Sequence, residues 1–272
     1  MGKRDTAERT AKKVEQHPAA VLAASVGHVV NGTVHIIIGL IAIGIALGAG
    51  GSADQSGAMR AIDSTLPGSI ALWVAGIAMF ALALYSFATA ITDVRSDTWD
   101  AVRGVGRGIA YLAVGSVALV YATGGTSDGE QSTETFSATL MQSTWGSWLL
   151  AVIGLVILAI GVGMFVKGVR KKFLDDVDVS GTFRRVFVVL GMTGYMAKGV
   201  AIAIVGVLFV LAVINRDPDE AGGLDGALKK LTELPYGSAI LFVVAAGVIA
   251  YGFFCFARAR TTARKRDRIP SS

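Results

Sequence analysis

Residues Val186 to Ile214 read VFVVLGMTGYMAKGVAIAIVGVLFVLAVI, and this stretch decides the fold. Lys198 is its single charged residue. A hydrocarbon core of ~30 Å needs ~20 helical residues, so the segment is long enough to span a bilayer with some tilt. Five further stretches have the same character: Ala19–Leu47, Gly68–Ile91, Gly104–Tyr121, Trp145–Val166 and Tyr236–Phe256. Composition agrees, with 53% apolar residues, 17% charged residues and a mean hydropathy of +0.60. An ordinary soluble domain is excluded on those grounds. The first apolar stretch is far longer than a signal-peptide core, so it reads as a retained helix.

Lys198-Gly199 is followed seven residues later by Gly206, and the same pattern recurs twice. The counterparts are Asn31-Gly32 with Gly39, and Arg107-Gly108 with Gly115. A second series, Gly68, Gly146 and Gly237, opens the following span of each unit. The first glycines lie 76 and 91 residues apart and the second series 78 and 91. Two independent series with matching offsets identify three tandem two-helix units. The chain therefore divides into a basic segment 1–18, repeats at 19–95, 98–173 and 183–257, and a basic tail 258–272. Seven residues along a helix return to nearly the same face, so Gly32/Gly39, Gly108/Gly115 and Gly199/Gly206 each form a groove that admits another helix closely.

Between the paired spans lie segments whose second halves carry apolar residues three and four apart. These are Met59, Ile62 and Leu66; Phe136 and Leu140; and Leu228, Leu231 and Leu234. That spacing predicts short amphipathic helices at the membrane surface or dipping into the bundle. The expected fold is thus an all-α membrane protein: six transmembrane helices from three tandem two-helix repeats, with short interfacial helices in the outer loops.

Charge sets the expected orientation. Twenty of the 25 lysines and arginines fall on the side of the N-terminus, and Arg60, Arg216, Lys229 and Lys230 fall opposite. By the positive-inside rule both termini are cytoplasmic, in the plasma (inner) membrane. Trp145, Trp148 and Tyr236 mark the outer interface and Trp99 the inner one. The basic tail reads as a topology anchor, with capture of anionic lipid as the sharper alternative. Nucleic acid is not expected as a partner.

Polar groups within spans are the candidate site residues. Asn31, Arg107 and Lys198 share one repeat position and are expected to face the bundle interior and bind an anion or lipid phosphate. Snorkelling to headgroups or bonding to carbonyls is the plainer alternative. His28 and His35 lie on the helix face of Asn31, Tyr111 and Tyr195 accompany the other units, and Gly191 and Gly194 share the face of Lys198. No carboxylate lies deep in any span. The single cysteine, Cys255, excludes an intrachain disulfide and a cysteine metal cluster, and reads as helix packing. Asp175, Asp176 and Asp178 form an acidic loop cluster without a second aspartate motif to complete a metal–diphosphate site. Neither metal nor cofactor is expected, and no nucleophile–base pattern points to an enzyme.

Three two-helix units, a basic residue before the first glycine and a leucine–proline opening of the second helix resemble the domain of unknown function 1206 family, found mainly in actinobacteria. The resemblance covers nearly the whole chain. Arg107 and Lys198 match the family's basic position and Asn31 departs from it. Ser143-Thr144-Trp145 replaces the proline in the second unit. The resemblance implies fold and membrane location and supplies no mechanism. The expected function is association with lipids, a membrane protein partner or a second copy, and a small pseudo-threefold transporter or channel is the alternative.

Overall fold

The computed structural model describes residues 18–64, 66–93, 98–174 and 183–267. Six long helices carry the predicted spans: α1 (Pro18–Ala46), α3 (Leu66–Asp93), α4 (Thr98–Ala122), α6 (Thr144–Val169), α7 (Arg184–Asn215) and α9 (Gly237–Asp267). All six are long and apolar enough to cross a membrane, so the fold is the all-α membrane architecture expected. Lys3, Arg4, Arg9, Lys12, Lys13, Arg95, Arg268 and the cluster Asp175, Asp176 and Asp178 lie outside the described residues.

Short helices α2 (Gln55–Asp63), α5 (Gly129–Met141) and α8 (Gly223–Thr232) link the two spans of each unit and define a capped end. Asp54 begins α2 by accepting the Gly57 N–H at 2.9 Å, and Asp128 begins α5 by accepting that of Gln131 at 3.1 Å. Such caps satisfy donors that a helix start leaves orphaned. Met59, Leu228 and Leu231 are buried as expected, whereas Phe136 and Leu234 are exposed. Leu66 belongs to α3 instead of α2. The buried faces of α2 and α5 are mostly small residues, Ser56, Gly57 and Ala58 beside Met59 in one and Ser137 in the other, which lets these helices nest against neighbours. The opening glycines of the even spans have a local reason. Gly146 and Gly237 lie against the Leu140 and Leu231 carbonyls, where a side chain would collide as the chain turns into the span.

Helix pairing follows the repeat. The most extensive contacts join α6 with α7, α1 with α9, and α3 with α4. Each is the second span of one unit against the first span of the next, and α9 with α1 closes the series cyclically. Equivalent glycines serve all three seams. A methyl on Gly32 would come within 2.9 Å of the Phe256 ring, and one on Gly199 within 2.6 Å of the Phe165 nitrogen. Gly108 lies under the Phe87 ring. One turn pair further, Gly39 meets Ala245 and Ile249, Gly115 meets Met79 and Phe80, and Gly206 meets Gly154 and Leu158.

The even helices carry a matching register. Phe87, Phe165 and Phe256 are spaced by 78 and 91 residues, as are Gly76, Gly154 and Ala245, and Ala83, Gly161 and Gly252. Small residues on both helices bring backbones together and an aromatic ring fills the remaining space. The three units are not packed alike, however. Among the described residues α7 also packs extensively on α9 of its own unit, while α3 and α4 pack extensively only on each other and on α2.

Candidate functional site

The capped end is fastened at one point. Asp225, on α8, is 1% exposed. Its Oδ1 accepts the Ala53 N–H at 2.8 Å, and its Oδ2 lies 2.9 Å from the Lys229 ammonium one turn on. Lys229 also donates to Glu130 at the start of α5. Three connecting segments, one from each unit, thus meet on a single ion-pair network. Partial burial lowers the Lys229 pKa, but the Glu130 and Asp225 carboxylates outweigh it and hold the ammonium above its usual range. Burial raises the Asp54 carboxyl above its usual range, against the Gly57 N–H that it accepts and with the help of Asp225 and Asp128.

A second polar network lies within the spans, where α1, α7 and α9 meet. The Lys198 ammonium is 2.8 Å from His35 Nε2, and 4.5 Å from the centroid of the Tyr251 ring. His35 Nδ1 is 2.8 Å from the Asn31 carbonyl oxygen. A carbonyl only accepts, so Nδ1 carries the proton and Nε2 offers its lone pair to Lys198. Asn31 Nδ2 donates to the Cys255 sulfur at 3.2 Å. Lys198 is therefore turned toward a histidine and an aromatic face among the described residues.

Aromatic rings surround this network toward the terminal end. Tyr195 stacks on Phe173 at 5.5 Å and meets Tyr251 edge-on at 5.3 Å, with Phe254 against all three. Gly191 and Gly194 have their reason here, since Gly191 lies against the Phe173 ring and Gly194 against the Tyr251 backbone. Lys167 stands 5.5 Å from the Tyr195 ring centroid.

Of the expected site residues, Asn31, His35, Lys198 and Tyr195 come together. His28 is half-buried outside the hydrogen bonds of the network, and Tyr111 is half-buried on α4. Arg107 corrects the expectation. It is exposed and makes no hydrogen bond or ion pair among the described residues. Its neighbour α3 covers the glycine face of α4, which turns the adjacent residue outward. Tyr251 and Cys255 were missed as site members. Their repeat equivalents are Leu82 and Ile160 for Tyr251, and Ser86 and Met164 for Cys255, so a tyrosine where other units hold aliphatic chains was the available signal. Among the described residues no cluster of histidine, cysteine and carboxylate can hold a metal.

The chain is 29% identical over 252 residues to "Uncharacterized protein YxxB" of Bacillus subtilis (strain 168), covering 89% of this chain and 91% of that protein. No solved structure matches it. A family profile described as Domain of Unknown Function (DUF1206) matches at residues 26–93, 102–171 and 193–262, one match for each two-span unit. Those three matches cover most of the sequence, and the chain belongs to the DUF1206 family.

Proposed function

We propose that the protein is a non-enzymatic, multi-pass component of the plasma membrane, with both termini cytoplasmic, that acts by association with lipids or another membrane protein. The observation that carries this reading is the α3–α4 pair. Its spans are 22% and 24% buried, as lightly covered as α1 at 22% and α6 at 17%, and it alone among these presents an arginine, Arg107, outward within a span. A cation within a membrane helix requires an anionic neighbour or access to headgroups, which here is a lipid phosphate or an acidic residue of a partner. Positive charge concentrated on one side supports the orientation. Asn31 and Lys198 belong to one network and Arg107 to another helix pair, so any anion bound at Arg107 is bound there separately. Native mass spectrometry of protein extracted with its own lipids tests the reading. Retained anionic lipid or a co-extracted partner, diminished by Arg107→Gln, is expected; a bare monomer in both forms would overturn it.

The Lys198–His35 pair favours a second reading, a small transporter or channel, because a histidine hydrogen-bonded to an intramembrane amine can relay a proton. Proteoliposomes loaded with a pH dye distinguish the two. Proton or anion flux that Lys198→Met abolishes would establish transport, and wild-type vesicles as tight as empty ones would dismiss it.

A further inference from the structure

A cleft of about 760 Å³ opens at the capped end between α5, α6 and α7. Its floor is apolar, with Ala151 of α6 and Val210, Val213 and Ile214 of α7. The rim is polar, with Gln142, Ser143, Ser147 and Arg216. Among the described residues Arg216 is the one charged residue that lines it. This arginine ends α7 in a left-handed conformation, φ 55°, and is exposed. The acids that follow it, Asp217, Asp219 and Glu220, do not line the cleft. Asp217 is engaged by the Asp219 N–H and Glu220 by Asn215.

Position in the bilayer narrows the occupant. Trp145 and Trp148, 85% and 67% exposed, stand at the start of α6, and Trp148 lines the cleft. Exposed tryptophans at a span end mark headgroup depth. The rim is then among headgroups and the floor among acyl chains. A soluble anion has no use for the apolar floor. A zwitterionic headgroup would bring an ammonium to a rim that offers no carboxylate.

We propose that this cleft binds one anionic glycerophospholipid. Its phosphodiester sits on the Arg216 guanidinium through paired hydrogen bonds, its headgroup hydroxyls meet Gln142 and Ser147, and an acyl chain lies along Ala151, Val210 and Val213. The proposal rests on the reading of the protein as one that associates with lipid, and it adds the lipid class and the place.

The full chain in nanodiscs of equal phosphatidylglycerol and phosphatidylcholine, analysed by native mass spectrometry, provides the test. Wild-type protein should retain phosphatidylglycerol over phosphatidylcholine by about fivefold, the preference that one interfacial arginine confers. In an Arg107→Gln background, which removes the separate anion site on α4, Arg216→Gln should bring the ratio to about one by removing that charge, while Ala151→Phe, which fills the floor, should lose the lipid held at the cleft, of either class. Arg170→Gln, exposed at the other end, should change nothing. No preference in wild-type protein, or a preference that survives in folded Arg216→Gln and in Ala151→Phe, would overturn the proposal. So would displacement of the lipid by millimolar inorganic phosphate. Partner masses in the same spectra report on the broader reading independently, so either can fail alone.

Discussion

Two glycines on one helix, two residues apart, separate packing from propensity. Gly161 and Gly163 both lie in α6. A methyl on Gly161 would stand 2.5 Å from the Ala203 nitrogen and 2.8 Å from both the Ala203 Cα and the Gly199 carbonyl oxygen. All three are backbone atoms of α7, so no side chain can rotate away, and the helix axis must retreat by a substantial fraction of an ångström. Overpacking of this kind costs about 1–3 kcal/mol, and separating the seam also uncovers its neighbouring contacts. A methyl on Gly163 meets nothing within 4 Å and gains up to about 1 kcal/mol of helix propensity. Gly161→Ala should therefore lower the thermal midpoint and Gly163→Ala should hold or raise it, at about 2–4 °C per kcal/mol. Cys255 supplies the assay, being the only cysteine and 2% exposed: a fluorogenic maleimide reports its release on heating in detergent. Equal midpoints for the two variants, or a lower one for Gly163→Ala, would refute the seam geometry.

Asp225→Ala leaves the Ala53 N–H and Lys229 short of a buried partner, which costs about 1–3 kcal/mol for the orphaned group. The same thiol assay should show a loss of several degrees, and a midpoint within error of wild type would exclude the clamp. Asp54→Asn keeps the cap and removes a buried charge, whereas Asp54→Ala loses the cap at about 1 kcal/mol. Because the folded Asp54 pKa is raised, its ionisation costs stability above the ordinary carboxylate range and nothing below it. Wild-type stability should thus decline relative to Asp54→Asn as pH rises through that range, and parallel pH profiles would contradict the assignment. Cysteines at Ala61, Ser132 and Asp219 in a Cys255→Ser background should react with an impermeant maleimide on intact cells while one at Lys172 stays protected, and the reverse pattern would invert the topology. His35→Leu with Lys198→Met should yield more higher-order oligomers in native mass spectra than wild-type protein, and an unchanged distribution would show that the network does not guide seam choice.

Much of this fold was legible because hydrophobic length and helical period are local properties. The spans needed only a run of apolar residues, and the Gly199–Gly206 spacing announced a close-packed face. What fills that face depends on another helix, and spacing on one helix is silent about its partner. The complementary pattern of Phe87, Phe165 and Phe256 was nonetheless present at the offsets of the opening glycines. Reading both registers together would have paired α6 with α7 before any coordinates. Site residues were less legible for the same reason. Arg107 and Lys198 share a repeat position, but α4 has one extensive neighbour among the spans and α7 has two, so one side chain faces out and the other in.

Repetition and its breakdown divide the labour within the chain. Glycine–phenylalanine contacts recur at all three seams because each seam needs close backbones, and interchangeable grooves cannot by themselves decide which span pairs with which. Among the described residues the lysine–histidine network stands at the seam of α1 with α9, the pairing that joins the first span to the last. Its members are diverged repeat positions: His35 corresponds to Tyr111 and Ile202, and Tyr251 to Leu82 and Ile160. Placing α1 against α3 or α6 would leave Lys198 without its histidine and Asn31 without its thiol. Unpartnered polar groups in hydrocarbon penalise those pairings far more than any loss of van der Waals contact between similar grooves. Buried polar contacts fix register and partner in other helical assemblies at some expense of stability. By that logic Lys198 and His35 are kept at the closing seam because cyclic order has to be specified there, where the chain itself does not connect the helices.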